Sequence, residues 1–133
     1  MKSLSFLAAA FALSLLAIGP ATAQSKRSAL TGLWSGGGKV VLANGRQERA
    51  RCRAQFSPSG PGATFMARCS TRSGTMDQAA RLRRTGPNSY TGSFFNPRLK
   101  SAGRIHITVE GNRQYVTVRS KRGGAKLMLQ RRA

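Results

Sequence analysis

Strict two-residue alternation over "ERARCRAQF", residues 48–56, is the pattern that most restricts this chain. On an extended strand, Ala50, Cys52, Ala54 and Phe56 share one face, and Arg49, Arg51 and Arg53 share the other. A helix would scatter both sets around its circumference. Similar short alternating runs recur between turn signals from Thr31 onward. They predict an all-β domain with strands near 33–42, 46–56, 63–70, 75–83, 89–95, 103–110, 113–120 and 125–131. The fourth run, "TMDQAARLR", alternates least, and its alanines permit one helical turn.

Pairing arithmetic tests these strands. With Gly111-Asn112 as a two-residue turn, Glu110 faces Arg113, Ile107 faces Val116 and Ile105 faces Val118. Taking "SKRGGA" as the next turn sets Val118 against Leu127 and Val116 against Leu129. Across the loop "SPSGPGAT", one register pairs Phe56 with Phe65, Ala54 with Ala67 and Cys52 with Cys69. A three-residue loop at "ANG", with Gly45 left-handed, sets Trp34 beside Ala54, Gly36 beside Cys52 and Gly38 beside Ala50. The small residues of "SGGGK" leave room for the cysteines and allow a sharp bend. Consecutive hairpins make an up-and-down meander of about eight antiparallel strands. A small barrel or a folded-over sheet suits it, with a Greek-key sandwich as the alternative. Trp34 then reads as a core plug near one barrel end, with ligand stacking as the other role.

The first residues belong to a different kind of segment. Lys2, the apolar run "LSFLAAAFALSLLAI" and the small residues of "ATA" form the pattern of a secretory signal peptide over 1–23. Residues 24–30 read as a flexible lead, and 31–133 as one β domain. The expected location is the periplasm or the exterior of a Gram-negative bacterium. An exported chain whose cysteines are Cys52 and Cys69 is expected to join them.

Without residues 1–23, which carry Lys2, 22 Lys and Arg face three acids, a formal charge of +19. The predicted registers put Arg53 opposite Arg68 and Arg49 opposite Lys39 on one outward face, with Arg51 between. Arg104, Arg119 and Lys126 form a second outward row, and "RLRR" at 81–84 adds a third basic spot. These eight cations, from Lys39 to Lys126, are the candidate polyanion-binding set. A solvated basic face is the plainer reading. Tyr115 and Tyr90 are the candidates for base stacking, so nucleic acid is the less favoured partner. Lipopolysaccharide phosphates, acidic polysaccharide and anionic lipid headgroups are favoured. The planar fork of arginine suits phosphate and carboxylate.

Catalytic chemistry has little support. His106 lies on an outward face with no acid spaced to orient it, and Glu48, Asp77 and Glu110 fall on separate strands. No zinc spacing or phosphate-binding glycine loop occurs. The sequence therefore points to a non-enzymatic protein with no catalytic residues, metal ligands or cofactor. Glu48 is expected inward near Val40, at a rim, paired to an arginine or anchoring a ligand.

The segments "WSGGGKVVLANGRQERARCRAQF", "ARCS", "YTGSF" and "GRIHITVEG" resemble small secreted β proteins of alphaproteobacteria, a family of unknown function. That resemblance implies a Gly-rich first strand and paired cysteines. "GLW" at 32–34 is similar to an early motif of periplasmic metalloprotease inhibitors, which implies an inhibitory N-terminal arm at "QSKRSAL". The expected function is binding of an anionic envelope or extracellular component. Alternatives are a protease-inhibitor-like barrel and a small-ligand-binding barrel.

Overall fold

A computed structural model describes residues 30–132. The expected signal peptide and nearly all of the expected lead lie outside these residues. Eight strands follow in chain order: β1 Gly32–Val41, β2 Gln47–Ser59, β3 Gly62–Thr71, β4 Gly74–Gly86, β5 Ser89–Asn96, β6 Ser101–Glu110, β7 Arg113–Ser120 and β8 Gly123–Arg131. Each pairs antiparallel with the next, and β8 pairs with β1 to close a barrel. Closure excludes the sandwich and leaves no free sheet edge at the β1–β8 junction. The fourth run is a strand throughout.

The first two hairpins have the expected registers. Trp34 faces Ala54, Gly36 faces Cys52 and Gly38 faces Ala50. Cys52 faces Cys69 and Phe56 faces Phe65. The cysteines form a disulfide with their Cα atoms 4.1 Å apart. The phenylalanine rings pack at 5.1 Å between centroids. The β2–β3 loop is shorter than expected, because both strands run on until Ser59 faces Gly62.

Two expectations need correction. The last turn contains only Lys121 and Arg122, so Val118 faces Ala125, Val116 faces Leu127 and Gln114 faces Leu129. Both registers keep the apolar residues inward, and Gly123-Gly124 carry no side chain to discriminate between them. Leu30, assigned to the flexible lead, is fully buried. Its carbonyl accepts a 2.9 Å hydrogen bond from Trp34 Nε1. Arg131 covers the Trp34 ring at 4.4 Å and donates to the Thr31 carbonyl at 2.6 Å. Trp34 is thus a plug at the end of the barrel where β1 begins.

Side chains fill the interior, as expected for a barrel of eight strands. Inward glycines are covered by large cross-strand neighbours. Leu82 faces Gly92, and its Cδ2 lies 2.8 Å from where a Gly92 Cβ would be. Phe94 faces Gly103 in the same way, at 2.4 Å. Main-chain carbonyls crowd these positions too, that of Arg81 at 2.2 Å for Gly92 and that of Arg119 at 2.6 Å for Gly103, and for Gly36 and Gly38 in β1 the nearest atoms are all main chain. A Cβ on Gly36 would lie 2.1 Å from the Met128 carbonyl, and one on Gly38 1.9 Å from that of Lys126. The atoms nearest these positions belong to the β8 main chain. Gly38→Ala should therefore cost about 2 kcal/mol or more through backbone displacement. Denaturant melts would check this, and an unchanged midpoint would mean that β1 and β8 can separate freely.

Candidate functional site

The arginine comb borders a groove in the outer wall of the barrel. Gly37 points outward from β1 and carries no side chain, so β1 forms a low floor between β2 and β8. Arg51 lies across from Gly37 on one side and Met128 on the other. The next outward row is Arg53, Ser35 and Gln130. The groove encloses about 710 Å³ and is also lined by Arg68, Ser70 and Arg132. A second depression of about 480 Å³ continues along Gly36–Gly38 to Lys39, Arg49 and Arg51.

The eight candidate cations all point outward and are exposed. Arg53 opposes Arg68, and Arg49 opposes Lys39. Barrel closure brings Lys126 to the other side of Lys39. Seven of the eight thus fall into three groups, Arg49–Lys39–Lys126, Arg53–Arg68 and Arg104–Arg119, while Arg51 stands beside Gly37. Arg104 faces Arg119, but Arg119 faces Gly124, while Lys126 faces Thr117. The two-residue change in the last hairpin breaks the expected row of three.

Asp77 was missed as a member of this face. It sits opposite Arg68 and accepts bonds of 2.7 Å and 3.2 Å from its Nε and Nη2. The guanidinium holds the Asp77 carboxyl below its ordinary range, and the carboxylate raises Arg68 in turn. This is the one ion pair among the described residues. The faint alternation of β4 hid it. Ser35, Ser70, Gln130 and Arg132 were also missed. The signal was available in the closure of β8 on β1, which makes Gly37 a gap in the side-chain layer.

Glu48 points inward at the opposite end from Trp34, as expected, but no arginine bonds it. It accepts from the Ser73 hydroxyl at 2.6 Å and from the Ser73 amide at 3.2 Å. The Ser73 hydroxyl, followed by the Thr71 hydroxyl, is the main cause of its lowered pKa, with Arg46 a smaller contributor. Asn96 and Gln78 join at 3.0 Å on the same end. His106 contacts the hydroxyls of Thr91 at 3.3 Å and Thr108 at 3.5 Å. No carboxylate bonds it among the described residues.

Two buried side-chain groups are unmatched among the described residues: the Thr31 hydroxyl, beside the Trp34 end, and the Gln114 amide in the interior. Gln114 is completely buried between Val109 and Leu129, and neither end of its amide has a hydrogen-bond partner among the described residues.

No protein-family model matches this chain, and no curated protein does. A redesigned β-barrel aligns with a TM-score of 0.61 at 16% identity, covering 80% of this chain and 94% of its own. A de novo designed fluorescence-activating β-barrel gives 0.58 at 12%, covering 80% and 99%. A fatty acid binding protein of Schistosoma mansoni, solved with arachidonic acid, gives 0.51 at 12%, covering 80% and 98%. These similarities establish the barrel architecture.

Two measurements follow from the unusual polar groups. The depressed Glu48 pKa means its stabilisation is present above the unfolded carboxyl value, about 4.3. It is lost as pH falls through the lower folded value. Melting temperature should fall on acidification through this window, with Asp77 contributing in the same direction. Glu48→Gln should lower the melting temperature at neutral pH and flatten part of the acid limb. An identical acid profile would remove Glu48 from the account. Gln114→Met, nearly equal in volume, should raise stability by about 1 kcal/mol by deleting a buried unpaired amide. Loss of stability in chemical melts would show that the amide has a partner, such as buried water.

Proposed function

We propose that this chain is a non-enzymatic binding protein that holds an extended anionic polymer in the external groove. The observation supporting this reading is the glycine floor of β1 beside the Arg49–Arg51–Arg53 row of β2, with Lys126 and Arg132 on the β8 side. Arg49, Arg51 and Arg53 alternate along β2, placing a charge about every 7 Å. Arg132 stands on the opposite side. Such spacing suits a chain of repeating phosphates or carboxylates better than a single compact anion. The disulfide agrees with oxidising, exported surroundings, where lipopolysaccharide phosphates and acidic polysaccharides are the relevant anions.

Binding within the barrel is the second reading, and Gln114 favours it by offering an unpaired amide. Its surroundings do not. The inward faces are closed by Trp34, Phe56, Ile105, Ile107 and Leu129, each essentially inaccessible. Both described depressions lie on the outside of the wall. The protease-inhibitor reading depends on an arm that lies mostly outside the described residues, and buried Leu30 is not available to it.

The test is Arg49→Ser, Arg51→Ser and Arg53→Ser combined, titrated with lipopolysaccharide or a soluble acidic polysaccharide over a salt series. Stability should hold or rise slightly, because the removed side chains oppose other cations. Affinity at low salt should fall. The slope of log affinity against log salt should become shallower by up to about three, one for each lost contact. Unchanged affinity and slope would make the comb a solvated face. A large loss of stability would contradict the outward placement of these arginines.

A further inference from the structure

A second surface lies across the β4–β5 seam, away from the glycine floor. The β4–β5 backbone register ends at Arg81 and Ser93, although β4 begins seven residues before Arg81, at Gly74, and β5 continues to Asn96. Side chains bridge the opened part. Asn96 Nδ2 donates to Gln78 Oε1 at 3.0 Å, and Arg98 Nη1 donates to the Thr75 carbonyl at 3.3 Å. Counting on from the Arg81–Ser93 pair, Ala79 and Phe95 occupy equivalent outward positions on the two sides of this opened seam. Ala79 faces Met66 on β3, and Phe95 faces Ala102 on β6.

An outward apolar row of Met66, Ala79, Phe95 and Ala102 results. Met66 is 61% exposed and Phe95 60%. These are large values for side chains that barrel interiors normally consume. A cationic row runs beside them: Arg81 faces Ser93, Ser93 faces Arg104, and Arg104 faces Arg119. Lys100 is exposed in the adjoining β5–β6 turn, where Leu99 is partly exposed. Asp77 is the acid nearest this row in sequence and register, and Arg68 engages it.

We propose that this face docks on an anionic lipid bilayer, with Phe95 and Met66 entering the interfacial layer and Arg81, Arg104 and Lys100 meeting the headgroups. Charge complementarity selects this occupant. A second copy of a chain with net charge +20 would press like charges together around the apolar row. A bilayer supplies anions and apolar depth together, and it needs no shape complementarity to the convex wall. The inference does not depend on the groove, since its apolar residues and Arg81, Arg104 and Lys100 do not line it.

Vesicle co-sedimentation tests it, using phosphatidylcholine alone and phosphatidylcholine with about a third phosphatidylglycerol, an anionic fraction that gives a substantial surface potential. The exported form, without the expected signal peptide 1–23, should partition onto the anionic vesicles and scarcely onto the neutral ones. Phe95→Ser with Met66→Ser should lower that partition by about tenfold or more through lost apolar burial. Phe95→Trp should keep binding and add a blue-shifted emission on anionic vesicles, since Trp34 is buried. Thermal melts of each variant confirm folding. The groove variant Arg51→Ser with Arg53→Ser should lose soluble polysaccharide yet retain vesicle-dependent sensitivity at position 95. Three results would overturn the proposal. One is wild-type partition in the double serine variant. Another is an emission shift absent on anionic vesicles. The third is self-association of the wild type, abolished by Phe95→Ser, which would assign the patch to a second copy.

Discussion

Close approach of the β1 main chain to β2 and β8 is the constraint on which the rest depends. Gly36 and Gly38 stand against the carbonyls of Met128 and Lys126, and Gly37 against that of Ala50. No L side chain fits at these distances. Without them β8 could not pair with β1, and both strands would keep open edges. The same absence of side chains produces the groove outside. Closure and candidate site therefore have one cause, three consecutive glycines between a tryptophan-bearing start and a lysine. Closure also brings Lys126 beside Lys39, so two basic regions that are distant in sequence become neighbours.

The two ends of the barrel are chemically different. Leu30, Trp34 and Arg131 seal one end, with an indole N–H satisfied by a carbonyl and an indole face covered by a guanidinium. The other end carries two hydrogen-bonded pairs, Glu48 with Ser73 and Gln78 with Asn96. Buried polar groups are tolerated where each has a partner. Gln114 and the Thr31 hydroxyl are the exceptions, and Gln114 lies among apolar side chains instead of at the polar end. The filled interior and these sealed ends move attention to the outer wall. There the unpaired groups are long cations that water can solvate. Glycine spacing decides where that solvated layer has a depression.

Much of this architecture was legible because errors in register are chemically visible. A one-residue slip of β2 against β3 would turn every apolar residue outward and separate the cysteines. Phe56 with Phe65 and Cys52 with Cys69 agree on one register, so the hairpin could be read with precision. The β7–β8 hairpin was less constrained. A two-residue shift preserves the inward set, and only turn length distinguishes the choices. Lys121-Arg122 is a two-residue turn without Asn-Gly, so its signal was weak beside the following Gly123-Gly124. Asp77 escaped notice because alternation is poor around it. Leu30 escaped because a single apolar residue after "QSKRSA" has no periodicity to place it. The Glu48 partner escaped because Ser73 lies in a turn whose geometry no strand pattern specifies.

The arginine comb also explains the position of the disulfide. Arg51 and Arg53 flank Cys52, and Arg53 faces Arg68 beside Cys69. Opposed cations push these strands apart at this position. The covalent link sits one residue away and closes a separation of 17 residues. A loop of that length corresponds to about 3 kcal/mol in the chain-entropy description. That exceeds an ordinary cross-strand charge pair, whose repulsion water and salt reduce further. Asp77 relieves Arg68 from the other neighbouring strand. Between them, an inward covalent bond and an outward carboxylate allow four cations, Arg49, Arg51, Arg53 and Arg68, to share one wall. Arg51 gains additional relief from its position, because its cross-strand neighbours are Gly37 and Ser70. The charge pattern is thus least crowded beside Gly37, where β1 carries no outward side chain. Positive charge is concentrated along the edges of the floor, where an anion could approach without displacing a protein side chain.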